Sequence, residues 1–277
     1  AVASGSLVHR KSVAQFVASF TPVLRNAPMH LDATGWIVTA IAILLTGISK
    51  SGLGGALGGL AVPFMSMWMS PRDAVAVMLP VLIAMDLFGI RAWRGKADWA
   101  ELRLLLPASL AGIALGTLAF GVMSDRMVKG AVGLIAVVFA ADRLLRKPKA
   151  EAHTAPLPRL ARLCGVGAGF TSTLAHAGGP PLMIYLLTRG LPRQAFAATS
   201  VFFFAALNLA KLPFYLGLDL FTRDTLVMSA MLLPLVPVGV WTGMRLLQRI
   251  PERPFYLLAT AALGLSGLKL LWDAVAG

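Results

Sequence analysis

The sequence predicts an all-α polytopic membrane protein made of two homologous halves, and three observations carry that expectation. Of its 277 residues 57% are apolar and 13% charged, with a mean hydropathy of +0.77, whereas a soluble domain carries about 25% charge. The apolar residues gather into runs, most of them close to the ~20 residues a spanning helix needs. Two of these runs are interrupted at corresponding places by glycine-rich segments, residues 52–59 and 169–181.

Residues 1–34 hold Arg10, Lys11 and Arg25 around a weak apolar periodicity at Val13, Phe16, Val17 and Phe20. They match a secretory signal poorly and an interfacial helix or a tail better. The first apolar run, 35–69, would reach about 50 Å as one helix, well past a ~30 Å hydrocarbon core, so it must break at its glycines. Runs over 74–90, 102–123 and 128–141 follow as three spanning helices and complete a first repeat, 35–146. A basic linker, 147–159, leads into a second repeat, 160–277, with the interrupted run 163–187 and then runs over 195–218, 226–247 and 255–272.

The halves align piecewise. A shift of 118 superposes Gly47 on Gly165, Pro63 on Pro181 and Met65 on Met183; a shift of 121 superposes Arg72 on Arg193, Ala74 on Ala195 and Asp98 on Asp219. A shift of 127 then superposes Pro107 on Pro234, Gly112 on Gly239 and Gly116 on Gly243. This one-directional drift reads as loop insertions in a duplicated unit. If each interrupted run folds back as a hairpin, 15 Lys and Arg of the connecting loops share one side against 4 on the other; if each crosses once, the split is 11 against 8. The positive-inside rule prefers the hairpin, and with it inverted halves, a cytoplasmic linker and both termini outside.

The net charge of +13 sits mostly in short loops, which topology explains better than nucleic-acid binding does. A single cysteine, Cys164, excludes an intrachain disulfide and argues against a Cys-based metal cluster.

Interrupted helices at membrane depth leave backbone N–H and C=O groups that only protein or a water-filled cavity can satisfy, and a pair of such breaks points to a transport site. Pro63 and Pro180-Pro181 suit the first turn of half-helices whose N-termini would offer free N–H groups and a positive dipole end to an anion. Around the breaks lie Ser49, Lys50, Ser51, Gly54, Gly55 and Gly58 in the first half, and Thr171, Ser172, Thr173, His176, Gly178 and Gly179 in the second. Neither break contains a carboxylate, which favours an anionic over a cationic ligand. With Asn208 added and Ser49 set aside, these are the candidate substrate-binding residues. The competing reading gives the glycines to helix packing, Lys50 to snorkelling and His176 to a structural hydrogen bond.

His176 and Asp86 are the proton-coupling candidates, because imidazole titrates near neutral pH and a carboxylate in mid-run is costly unless paired or hydrated. Lys50 is one basic partner open to Asp86. Asn208 falls one residue off the counterpart of Asp86 and shares a helix face with Lys211. Interhelical hydrogen bonding by Asn208 and snorkelling by Lys211 are the alternatives. No H-E-x-x-H, C-x-x-C, G-x-S-x-G or Walker pattern occurs, so no enzyme, metal site or cofactor is expected. The rival enzymatic reading is an intramembrane hydrolase using Ser172 and His176, four residues apart.

The Gly-rich break followed by Val62-Pro63-Phe64, then Pro71-Arg72-Asp73-Ala74-Val75-Ala76 and Gly95-Lys96-Ala97-Asp98-Trp99, resembles the sulfite exporter TauE/SafE family. Gly178-Gly179-Pro180-Pro181, residues 195–200 and Gly217-Leu218-Asp219-Leu220 match that family's second copy, so the likeness spans roughly 35–271. The resemblance implies a bacterial inner-membrane permease that moves sulfite, organosulfonates such as sulfoacetate, or related carboxylates, without a bound cofactor. Its expected partners are a small anion and the lipid bilayer, with homo-oligomerisation open. Here Ala56 and Leu57 split the glycines that the family usually runs together, and Lys50 precedes them. A transporter and an anion channel would share this site.

Overall fold

A computed structural model of the chain describes residues 31–52, 58–145, 157–246 and 252–276, and every described element is helical. The N-terminal tail up to residue 30 and most of the predicted linker lie outside the described residues, as do Gly54 and Gly55.

Helix α1 (Ala33–Gly52) precedes the first break, after which a 3-10 turn (Gly58–Leu60) leads into the five-residue α2 (Ala61–Met65). Helix α3 (Pro71–Ala92) starts sharply because Ser70 accepts the Asp73 N–H and Pro71 occupies the first helical position, where its missing N–H costs nothing. Asp98 caps α4 (Trp99–Val122) by accepting from Ala100 and Glu101, and α5 (Asp125–Leu145) closes the first half. The second half runs through α6 (Pro158–Ala175), α7 (Gly179–Thr188), α8 (Arg193–Gly217), α9 (Arg223–Leu232), α10 (Leu235–Leu246) and α11 (Glu252–Ala276).

Helices α1, α3, α4 and α8 are each long and apolar enough to cross a membrane; α9 and α10 add a fifth span if their 45° bend is counted as one crossing. Pro80, Pro107 and Pro213 sit inside helices that continue through them, as membrane helices tolerate. Pro234, the counterpart of Pro107, instead lies between α9 and α10, so the predicted single run 226–247 is two helices.

Helix α4 packs along α6 and α10 along α1, while α3 lies against α8 and α5 against α11. Glycines set how closely these pairs approach. A Cβ on Gly112 would fall 2.1 Å from the Val166 carbonyl oxygen, one on Gly169 the same distance from that of Ser109, and one on Gly47 3.1 Å from the backbone of Gly239. Here the packing role of small residues in membrane helices applies directly.

Two expectations change. The second break is short: α6 stays helical through Ala175, so only residues 176–178 separate it from α7, and Gly169 serves packing rather than unwinding. In the first half, α2 is too short to form a half-helix with a useful dipole.

Candidate functional site

Helix α6 ends at His176, which adopts a left-handed conformation at φ +51°, a region that histidine enters more readily than most residues. The His176 N–H bonds the Ser172 carbonyl at 3.0 Å, and the Ala177 N–H bonds that of Thr171 at 3.2 Å. The Thr171 hydroxyl lies 2.8 Å from the Gly167 carbonyl oxygen and 2.9 Å from that of Ala177. Gly178 then leads into α7, with Pro180 and Pro181 in its first turn, as the sequence anticipates. A Cβ on Gly59, at the end of the first break, would stand 2.9 Å from that of Ala177. The two breaks meet.

Beside this meeting point His176 is buried and bridges two helices. Its Nε2 lies 2.9 Å from the Val75 carbonyl oxygen on α3. A carbonyl only accepts, so Nε2 carries hydrogen. Its Nδ1 lies 2.6 Å from Lys211 Nζ on α8. Lys211 is 0% exposed, and its Nζ also stands 3.1 Å from Ser172 Oγ and 3.3 Å from the Ser172 carbonyl oxygen. Three neutral acceptors thus face an ammonium group that has three hydrogens to donate. Among the described residues no carboxylate lies within ion-pair distance of Lys211. Tyr215, one turn further along α8, packs its ring 5.9 Å from Lys211 Nζ and donates its hydroxyl to the Thr173 carbonyl at 2.7 Å.

A second cluster is electrically balanced. Lys50 on α1 forms an ion pair with Asp86 on α3 and reaches the Leu82 carbonyl at 3.4 Å, while Asn208 donates to the other Asp86 oxygen at 2.6 Å. Asn208 and Lys211, three residues apart on α8, therefore join both clusters to one helix face.

The family model for the sulfite exporter TauE/SafE matches residues 39–270, most of the chain. The chain belongs to the sulfite exporter TauE/SafE family. No curated protein and no solved structure matches it. Membership in TauE/SafE, together with the apolar helices, identifies a multi-pass membrane protein of a class that transports sulfite-like anions.

Within this TauE/SafE chain the predicted site residues have unequal surroundings. Lys50, Asp86 and Asn208 form one cluster; Ser172 and His176 join the other. The Thr173 hydroxyl bonds back to the Gly169 carbonyl at 2.9 Å, inside its own helix, and Gly178 packs on α6, where a Cβ would meet the Ala168 carbonyl oxygen at 2.8 Å. Gly179 is buried in the first turn of α7. Gly58 opens the 3-10 turn, whereas the side chain of Ser51 falls outside the described residues. Both ring nitrogens of His176 are engaged with Val75 and Lys211, so Ser172 and His176 do not form a nucleophile–base pair.

The sequence leaves Lys211 open between function and snorkelling and does not single out Glu101. Lys211 does not snorkel; it is the most enclosed charged side chain of the site. Glu101, at the start of α4, is buried and accepts from both Tyr185 and Arg189, the latter at 2.5 Å, tying the far end of α7 to α4. From the sequence, Glu101 is an ordinary acidic residue in a helical first turn and Arg189 an ordinary loop charge.

Proposed function

We propose that the protein is a secondary transporter that exports a small oxyanion, such as sulfite, an organosulfonate or a related carboxylate, across the bacterial inner membrane. The anion binds near the bilayer midplane where the breaks meet, and two inverted halves alternate its access to either side. One observation carries the site: the Lys211 amino group, a cation when protonated, is fully buried and meets only neutral partners. Such a charge is costly in a low-dielectric interior unless a counter-ion joins it, and a substrate anion would be that counter-ion. The N-terminus of α7, three residues after His176 in the chain, adds a favourable potential.

Reciprocal packing supports a pseudo-twofold relation between the halves, and the loop charges favour its inverted form. Pairing the two repeats in order maps α4 against α6 onto α10 against α1, and maps α3 against α8 and α5 against α11 each onto themselves. A twofold relation between repeats produces that pattern. The membrane potential supports export: at 100 mV, negative inside, it favours outward movement of an anion by ~2.3 kcal/mol per charge.

Sulfite counterflow in proteoliposomes tests the reading. A carrier accelerates uptake of labelled anion when unlabelled anion is trapped inside, whereas a channel does not. Wild type is expected to show counterflow, and Lys211→Met to lose at least about tenfold of it, the ~1.4 kcal/mol of a single lost interaction. Lys269→Met, at an exposed ion pair on α11, is expected to match wild type. Equal flux from Lys211→Met and wild type would refute the site.

A further inference from the structure

The two buried clusters differ in charge balance, and that difference bears on which anions the site accepts. Lys50 and Asp86 cancel one another. Lys211 and His176 do not: the 2.6 Å contact between Nζ and Nδ1 has room for one hydrogen, and the other ring nitrogen is committed to the Val75 carbonyl. With Lys211 as the ammonium the pair carries a single positive charge. A second proton would have to sit on Nδ1 and push two cations together, breaking the contact.

The groups facing the pair do not alter this count. From α6 they are the Ser172 hydroxyl and carbonyl, from α3 the Val75 carbonyl and from α8 the Tyr215 ring, all neutral. The nearest charged groups of the second cluster, Lys50 and Asp86, pair with one another. In a medium of low dielectric, one net charge is best met by one opposite charge.

We propose that the site is matched to a monoanion, so that hydrogen sulfite, sulfonates or monocarboxylates bind, whereas sulfite dianion and sulfate are excluded by charge. Sulfite dianion therefore binds only after it has taken up a proton from the aqueous phase and become hydrogen sulfite. This inference rests on the anion-transport reading above.

The test uses the unaltered protein in detergent, with thermal stability followed at constant ionic strength and increasing anion concentration, since a ligand that binds the folded state raises its stability. Methanesulfonate, a monoanion throughout, is expected to stabilise with an affinity that stays flat across the pH range where hydrogen sulfite loses its proton. Over that range sulfite should weaken by roughly tenfold per pH unit on the alkaline side, the signature of one linked proton. Sulfate should bind at least about tenfold more weakly than methanesulfonate, and Lys211→Met should abolish the methanesulfonate shift. If sulfate matches methanesulfonate, or if sulfite affinity ignores pH, anions bind without charge selection and this inference falls alone. If no anion stabilises the folded protein, the transport site falls and this inference with it.

Discussion

Lys50, Asp86, Asn208 and Lys211 show how far a sequence exposes polar groups inside a membrane. Two ionisable residues of opposite sign in apolar runs must find each other or water, so the Lys50–Asp86 pair is legible from composition and position. Lys211 is not. It lies six residues before the end of α8 at Gly217, about 9 Å of helix, within reach of a lysine stem, and only the packing of α6 and α3 around α8 keeps it from the interface. Removing one partner of a buried pair strands the other. Asp86→Asn is therefore expected to destabilise the folded protein by about 3 kcal/mol, and the double variant Lys50→Met, Asp86→Leu to recover most of that loss. Chemical denaturation in mixed micelles measures both; a double variant no more stable than Asp86→Asn would contradict the pairing as the source of the cost.

At the scale of helices, glycine in the sequence marks two different things. The break at 52–59 is legible because a 35-residue apolar run cannot cross as one helix. The second break is legible in place but not in extent: Gly165 and Gly169 are indistinguishable in sequence from helix-breaking glycines, yet they let α6 press against the backbone of α4. On α4, Gly112 and Gly116 play the same part against Val166, Phe170 and Thr173, and in sequence they stand out only as repeat markers. Since a methyl at Gly112 would meet the Val166 carbonyl oxygen at 2.1 Å, Gly112→Ala should cost about 2 kcal/mol or more by forcing α4 and α6 apart. Gly217→Ala, with nothing within 4 Å of the new methyl, should stay within about 0.5 kcal/mol of wild type. Equal melting temperatures for the two variants would remove close packing as the reason for these glycines. Glu101→Gln, which removes the carboxylate from Tyr185 and Arg189 together, should cost about 3 kcal/mol through the same loss of a buried ion pair, read from the same denaturation curves.

For the whole molecule, the helical membrane architecture was readable from hydropathy and the order of apolar runs. The paired breaks were readable from the repeat. Their contact through Gly59 and Ala177 was not, because nothing in a one-dimensional pattern fixes which loops converge in space. Inverted halves predict that the loop after α3 and its counterpart after α8 face opposite sides of the membrane. With Cys164 replaced by alanine, Lys96→Cys should react with an impermeant maleimide only from the cytoplasmic face, and Arg223→Cys only from the outer face; both positions are exposed. Labelling of both from one side would mean parallel halves.

With an anion on Lys211 where the breaks meet, an experimental structure with selenite, the heavier analogue of sulfite, locates it through anomalous scattering. The expected result is a selenite bound with its oxygens within hydrogen-bond distance of Lys211 Nζ, between the two breaks and the start of α7. Selenium bound elsewhere, with Lys211 still held by Ser172 and His176, would contradict it.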